Sequence, residues 1–114
     1  MELVKTRLQL TNEAASKLQI LGDGQPLDAE SAAKLDGKID ALLLQLASEK
    51  IAEVANDEAI PSDWFDPIAS LLANRARGDF GQQFDAGLDM YQKALLKKVV
   101  AGSPTYLPLP SEYF

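Results

Sequence analysis

Apolar positions recur at helical spacing in four stretches of this chain, and short polar or Pro/Gly-rich joints separate them. In the first stretch Leu8, Ala15 and Leu18, with Leu10, Ala14 and Leu21 alongside, form one stripe. Thr6-Arg7-Leu8-Gln9 has the form of a capping box, in which a hydroxyl takes the N–H three residues on and the glutamine reaches back. The first helix therefore starts at Thr6. Gly22 is placed to close it, because glycine takes the left-handed conformation of a helix end without steric cost. Gly22-Asp23-Gly24-Gln25-Pro26 then reads as a turn.

The second stretch is the clearest. Asp28 suits an N-cap and Glu30 a first turn. Ala32, Leu35, Ile39, Leu42 and Leu46 follow at steps of three and four, and Leu43 and Ala47 widen the stripe. The helix is expected to end near Lys50. Gly37 in its middle costs about 1 kcal/mol relative to alanine, which a close helix crossing would explain. Ile51-Ala52-Glu53-Val54-Ala55 alternates weakly and fits a short strand or a turn of helix.

Ile60-Pro61 announces the third helix, with Ser62 or Asp63 as its cap. Pro67 complicates the start. Beginning at Trp64 puts the proline at the fourth position; a cap at Asp66 puts it at N1, where proline is tolerated. Ile68, Leu71, Leu72 and Ala76 carry the helix to about Arg77, and Gly78 ends it. The fourth helix is expected over 82–100, with Phe84, Leu88, Tyr91 and Leu95 facing inward. Its acids Asp85 and Asp89 come early and Lys93, Lys97 and Lys98 late, as the helix dipole favours; Asp89 and Lys93 make an i,i+4 pair. The expected fold is all-α: a four-helix arrangement with a short extended segment and an extended C-terminal tail.

The tail sets a boundary between a helical domain, 1–100, and an arm, 101–114. Pro108 and Pro110 forbid helix and favour a polyproline-like path. Tyr106, Leu107, Leu109, Tyr113 and Phe114 are apolar or amphipathic, unlike a solvated linker. Such a segment either straps its own domain or docks on a neighbour. Docking is favoured, because prolines reduce the entropy lost on binding.

Composition then narrows the chemistry. The 114 residues suit one domain, and 46% hydrophobic content supports a core. There is no cysteine and no histidine. That excludes disulfides, thiolate and imidazole catalysis, and the usual zinc sites. No enzyme, cofactor or metal is expected. The net charge of −6 argues against a broad nucleic-acid-binding face. The charge is local: residues 28–66 carry ten acids and three lysines, net −7, while residues 67–114 are net +1. The first residues lack the apolar region of a signal peptide. The longest apolar run, Ala41-Leu42-Leu43-Leu44, is far short of a membrane span. A soluble protein made in a cytoplasm, with no membrane partner, is the expectation.

Candidate sites have plain explanations beside functional ones. The pairs Asp36/Asp40 and Asp85/Asp89 could hold a hard cation or do acid–base work, but a solvated helix face is preferred. Arg75, Arg77, Lys97 and Lys98 complement helix C-termini; phosphate or partner contact is the lesser reading. Gly22-Asp23-Gly24 lacks the strand and the Gly-Lys-Ser/Thr of a phosphate loop. Trp64-Phe65 is read first as a core anchor and, if exposed, as a subunit interface.

The order of features resembles one family. Lys5-Thr6 opens a helix closed by Leu21-Gly22. Pro26-Leu27-Asp28 leads to a long helix ending in Leu42-Leu43-Leu44-Gln45-Leu46. Ile60-Pro61 precedes a helix with Leu71-Leu72-Ala73-Asn74-Arg75, Phe80-Gly81 closes it, and Ala94-Leu95 lies in the last helix. This is similar to the head-to-tail adaptor proteins of tailed bacteriophages, also called head-completion or packaged-DNA stabilisation proteins, over roughly residues 5–100.

The resemblance implies a structural virion protein of the head–tail connector, made in the bacterial host cytoplasm. It implies an oligomeric ring, usually a dodecamer, beneath the portal protein. The ring extends the DNA channel and offers a platform to tail or stopper proteins. Neighbouring copies are partners, and packaged DNA passes without sequence-specific binding. By that analogy Pro104, Tyr106, Leu107, Pro108, Leu109, Pro110, Tyr113 and Phe114 form a portal-binding arm. Gene transfer agents use similar parts. Two other classes stay open on the residues alone: a small acidic regulatory or inhibitory protein acting on a basic partner, and a carboxylate enzyme using a divalent metal.

Overall fold

In the computed structural model, residues 4–20 and 26–102 are described. The described chain is all-α apart from one two-strand pairing. Its elements run β1 (Val4–Lys5), α1 (Arg7–Leu18), α2 (Ala29–Ser48), β2 (Ile60–Pro61), α3 (Ser62–Ala76), a 3-10 turn (Arg77–Phe80) and α4 (Ala86–Gly102).

Local signals fix the first two helices. Thr6 caps α1: its hydroxyl accepts from the Gln9 N–H at 3.2 Å and the Gln9 Oε1 accepts from the Thr6 N–H at 2.7 Å. Asp28 caps α2 by accepting from the Ser31 N–H at 3.0 Å. Both helices close in the same way. The Gln19 N–H returns to Ser16 O and the Ile20 N–H to Ala15 O; the Lys50 N–H returns to Ala47 O and the Ile51 N–H to Leu46 O. These are Schellman-type ends. Their left-handed residues are Gln19 (φ 60°) and Lys50 (φ 58°), neither a glycine. So α1 stops at Leu18, ahead of the expected closure at Gly22, which lies outside the described residues. The Leu18 carbonyl receives the Gln82 amide at 2.9 Å, a partner 64 residues on.

The middle differs from the sequence expectation. Residues 51–55 form neither strand nor helix. The extended piece is Ile60–Pro61, paired antiparallel with Val4–Lys5 in the register Val4 to Pro61 and Lys5 to Ile60. With Pro61 held extended (ψ 136°), α3 begins at once at Ser62. It starts earlier than either placement expected, without a side-chain cap. Pro67 lies inside the helix and is buried; its missing N–H leaves one carbonyl of the turn before it without its usual donor.

α3 is the central helix and packs against each of the other three. Pro67 through Asn74 are all buried, so the helix has no solvent face over two turns. Leu10, Ala14 and Leu18 of α1, Leu35, Ile39, Leu42 and Leu46 of α2, and Leu96 of α4 close round Ile68, Leu71 and Leu72. Leu8, placed inward by its spacing, is instead exposed beside the Leu10–Ala14–Leu18 line. Gly37 is exposed, and a Cβ there would meet nothing within 4 Å. No crossing among the described residues accounts for it.

α4 is shorter at its start and longer at its end than expected, and it is turned on its axis. Phe84, which precedes it, and Tyr91 are exposed; Leu88 and Leu95 are half-buried; Asp89 and Leu96 face inward. The inward line thus lies one residue further along the chain, a rotation of about 100°. The cause is polar. Asn74 of α3 takes hold of the Asp85 backbone, and Asp89 turns to Arg75.

Candidate functional site

Three places carry the polar and exposed groups that a function could use. The first is centred on Arg7, at the start of α1. Its Nε donates to Asp36 Oδ1 at 2.7 Å, and its Nη1 to Asp40 Oδ1 at 2.8 Å and Asp57 Oδ2 at 2.6 Å. Nη2 reaches the Asp36 carbonyl at 3.1 Å, and the backbone N–H donates to Glu58 Oε1 at 3.2 Å. Asp36 and Asp40 sit one turn apart on α2, so a guanidinium fork can take both. Both carboxylates are solvent-exposed, as expected of a solvated helix face, and they also dock the start of α1. The bonds to Asp36 and Asp40 raise the Arg7 pKa further above its ordinary value, and Arg7 holds the Asp40 carboxyl below the usual carboxylate range.

The second is a polar network where α2, α3 and α4 meet. Arg75 Nη1 donates to Gln45 Oε1, and Gln45 Nε2 donates to Glu49 Oε2 at 2.6 Å. Lys93 lies 3.1 Å from Glu49 and 3.4 Å from Asp89, and Arg75 Nε is 3.5 Å from Asp89 Oδ1. The Gln45 amide first, and Lys93 after it, lower the Glu49 pKa. Asp89, expected in solvent, is buried because α4 is rotated toward Arg75. Asp85 is used as a cap, accepting from the Leu88 N–H at 3.0 Å. The expected Asp89–Lys93 pair is present. Arg75 serves this network and Arg77 donates to Gln83 O at 3.3 Å.

The third is apolar and outward. Met90 (73% exposed) and Tyr91 (63%) stand on α4, with Phe84 just before it, and Leu44 (72%) stands on α2. Leu44 borders a groove between α2 and the 53–57 loop, floored by Leu43, Ala47 and Val54 and rimmed by Asp40 and Glu53. Lys97 and Lys98 are exposed on α4 and have no ion-pair partner among the described residues.

Trp64 and Phe65 occupy the first turn of α3, half-buried and packed against the core, with Lys5 Nζ 5.8 Å from the centre of the Phe65 ring. Pro104, Tyr106, Leu107, Pro108, Leu109, Pro110, Tyr113 and Phe114 lie outside the described residues. Among the described residues no three His, Cys, Asp or Glu side chains gather into a metal-binding group, and no helix is long and apolar enough to cross a membrane.

Sequence reasoning passed over Arg7, Asn74 and Gln45. Asn74 had a signal: with Ser70 and Arg75 it is one of three polar residues in the otherwise apolar stretch Ile68–Ala76. A buried amide needs partners, so it marks a contact. Arg7 has no local signal, since its side-chain partners lie 29 to 50 residues away; Gln45 has one in the i,i+4 pair with Glu49, but its tie to Arg75 spans 30 residues. No family model, curated protein or solved structure matches the chain.

Proposed function

We propose that the chain is a head-to-tail adaptor of a tailed phage or gene transfer agent. It is a non-enzymatic protein of the virion connector, made in the host cytoplasm. Copies form a ring under the portal protein, lengthen the DNA channel and offer a platform to tail or stopper proteins. The observation that carries this reading is that three of the resembling motifs fall at a joint or in the central helix, although α1 closes at Leu18 and not at Leu21-Gly22. Ile60-Pro61 is β2 and opens α3; Leu71-Leu72-Ala73-Asn74-Arg75 is the buried second half of α3; Phe80-Gly81 closes the 3-10 turn before α4, with Gly81 left-handed (φ 73°). The outward Met90, Tyr91 and Leu44 add apolar surface of the kind that assembly covers.

The acidic-binder reading is weaker on the same geometry. Six of the ten acids of residues 28–66 are already paired at the surface with this chain's own cations: Asp36, Asp40 and Asp57 with Arg7, Glu30 with Lys34, Glu49 with Lys93, Asp66 with Lys17. The remaining acids suit a channel or solvent surface that DNA phosphates do not grip.

Co-sedimentation with portal rings of the same virion tests the reading. The full chain is expected to travel with the rings, and a chain lacking residues 103–114 to stay behind while keeping its helical circular dichroism. Equal binding by the truncated chain removes the arm; no binding by the full chain removes the adaptor reading.

A further inference from the structure

Two outward surfaces of the described chain lack cover, and they differ in charge. One is the outer face of α4. Gly87, Met90, Tyr91, Ala94, Lys97 and Lys98 are all exposed, and helical spacing sets them on the side away from Leu96. That face has no acid, and its two lysines have no ion-pair partner among the described residues. The other is the groove of α2 and the 53–57 loop, apolar in its floor and rimmed by Asp40 and Glu53. Glu53 is exposed and likewise has no ion-pair partner among the described residues.

We propose that the outer face of α4 in one copy seats in the α2 groove of a second copy. Met90 and Tyr91 cover Leu44 and Val54, while Lys97 and Lys98 meet Glu53, the rim acid that no described cation of its own chain holds; Asp40 is already taken by Arg7. Charge complementarity selects this pairing over either surface meeting itself: two α4 faces would bring four lysines together, and two grooves would bring two Glu53 carboxylates together. Gly37 fits the same contact. It lies seven residues before Leu44, on the same outward face of α2 with Ala41, and leaves the backbone open to a close helix approach that no described residue of its own chain makes. Because face and groove are different surfaces, the contact is heterologous, so each copy offers one of each to its neighbours. The inference deepens the ring reading and rests on it only for closure of these contacts into a ring.

The absence of cysteine makes the test direct. Full-length chains carrying Leu44→Cys and Ala94→Cys, each with a different tag, are mixed under mild oxidation. Both sites are exposed, so the fold is expected to be retained, and circular dichroism checks it. The expected product is the mixed dimer in preference to either homodimer. Lys97→Glu with Lys98→Glu on the Ala94→Cys chain should abolish it, and Glu53→Lys on the Leu44→Cys chain should restore it. A predominant Ala94–Ala94 product, or no disulfide-linked product, overturns the proposal. A chain that binds portal rings but gives no mixed dimer loses this inference alone; mixed dimers without portal binding support it and remove the adaptor reading.

Discussion

Asn74 and Asp85 hold each other by two reciprocal hydrogen bonds: Asn74 Nδ2 donates to the Asp85 carbonyl at 2.8 Å, and the Asp85 N–H donates to Asn74 Oδ1 at 3.0 Å. A side chain on the central helix thus satisfies the backbone just where α4 begins. Asp85 then caps α4 with its own carboxylate. Asn74 is only 1% exposed, so its amide is shielded from water, while Asp85 itself is exposed. Asn74→Leu removes both bonds and leaves the Asp85 N–H and carbonyl to water, at a cost of about 1–3 kcal/mol for the two bonds. Urea unfolding should show that loss. Asn74→Asp should also destabilise, because it keeps the acceptor and removes the donor.

Arg7 makes a larger set of ties with less burial. Arg7→Met leaves Asp36, Asp40 and Asp57 facing one another without their cation. The expected loss is about 1–3 kcal/mol, below that of a fully buried pair, since the two α2 carboxylates are largely exposed. Arg7→Lys should recover only part of it, because an ammonium cannot fork across two carboxylates. Denaturation midpoints of the two variants, at unchanged slope, check the order.

Acid should weaken the fold through the same carboxylates. Asp28, Asp40 and Glu49 titrate below their ordinary values in the folded chain, held by the Ser31 N–H, by Arg7, and by Gln45 with Lys93. The unfolded chain therefore binds more protons as pH falls through 4.5 and 3.8, the ordinary values of Glu and Asp. Their stabilisation is complete above that window and is lost as pH drops through the lower folded values. Asp40→Asn and Glu49→Gln should each flatten the fall of stability between neutral pH and acid, and both together should flatten it further.

Two substitutions should stabilise the isolated chain. Gln19→Gly relieves a left-handed residue at the end of α1 and should add about 0.5–1 kcal/mol. Gly37→Ala meets no atom within 4 Å and should add about 1 kcal/mol by helix propensity. The two differ in consequence. Gly37→Ala should also weaken association between copies, whereas Gln19→Gly should leave it unchanged; thermal melts and sedimentation velocity on the same samples separate the effects.

Local chemistry was legible in the sequence and long-range polar contact was not. Thr6 with Gln9, Asp28 as the cap of α2, and the Leu35–Ile39–Leu42–Leu46 line are each decided within a few residues, and the structure has them as read. α1 escaped because a glycine was available three residues beyond Gln19, which takes the left-handed position itself. β1 and β2 escaped because two-residue strands 56 positions apart carry no periodicity. α4 escaped because its apolar residues allow two orientations, and Asn74 and Arg75 on another helix choose between them. For the candidate site, the same limit hid Arg7 among its carboxylates. The exposed Tyr91 was visible, but its stripe read as core, since an outward apolar face and an inward one have the same pattern.

The most direct test of the adaptor reading is electron microscopy of the full chain mixed with portal rings of its own virion. Rings of density stacked coaxially on the portal, built from repeated copies of this helical unit and open at the centre, are the expected result. Portals that remain bare in the presence of folded, full-length chain would contradict it.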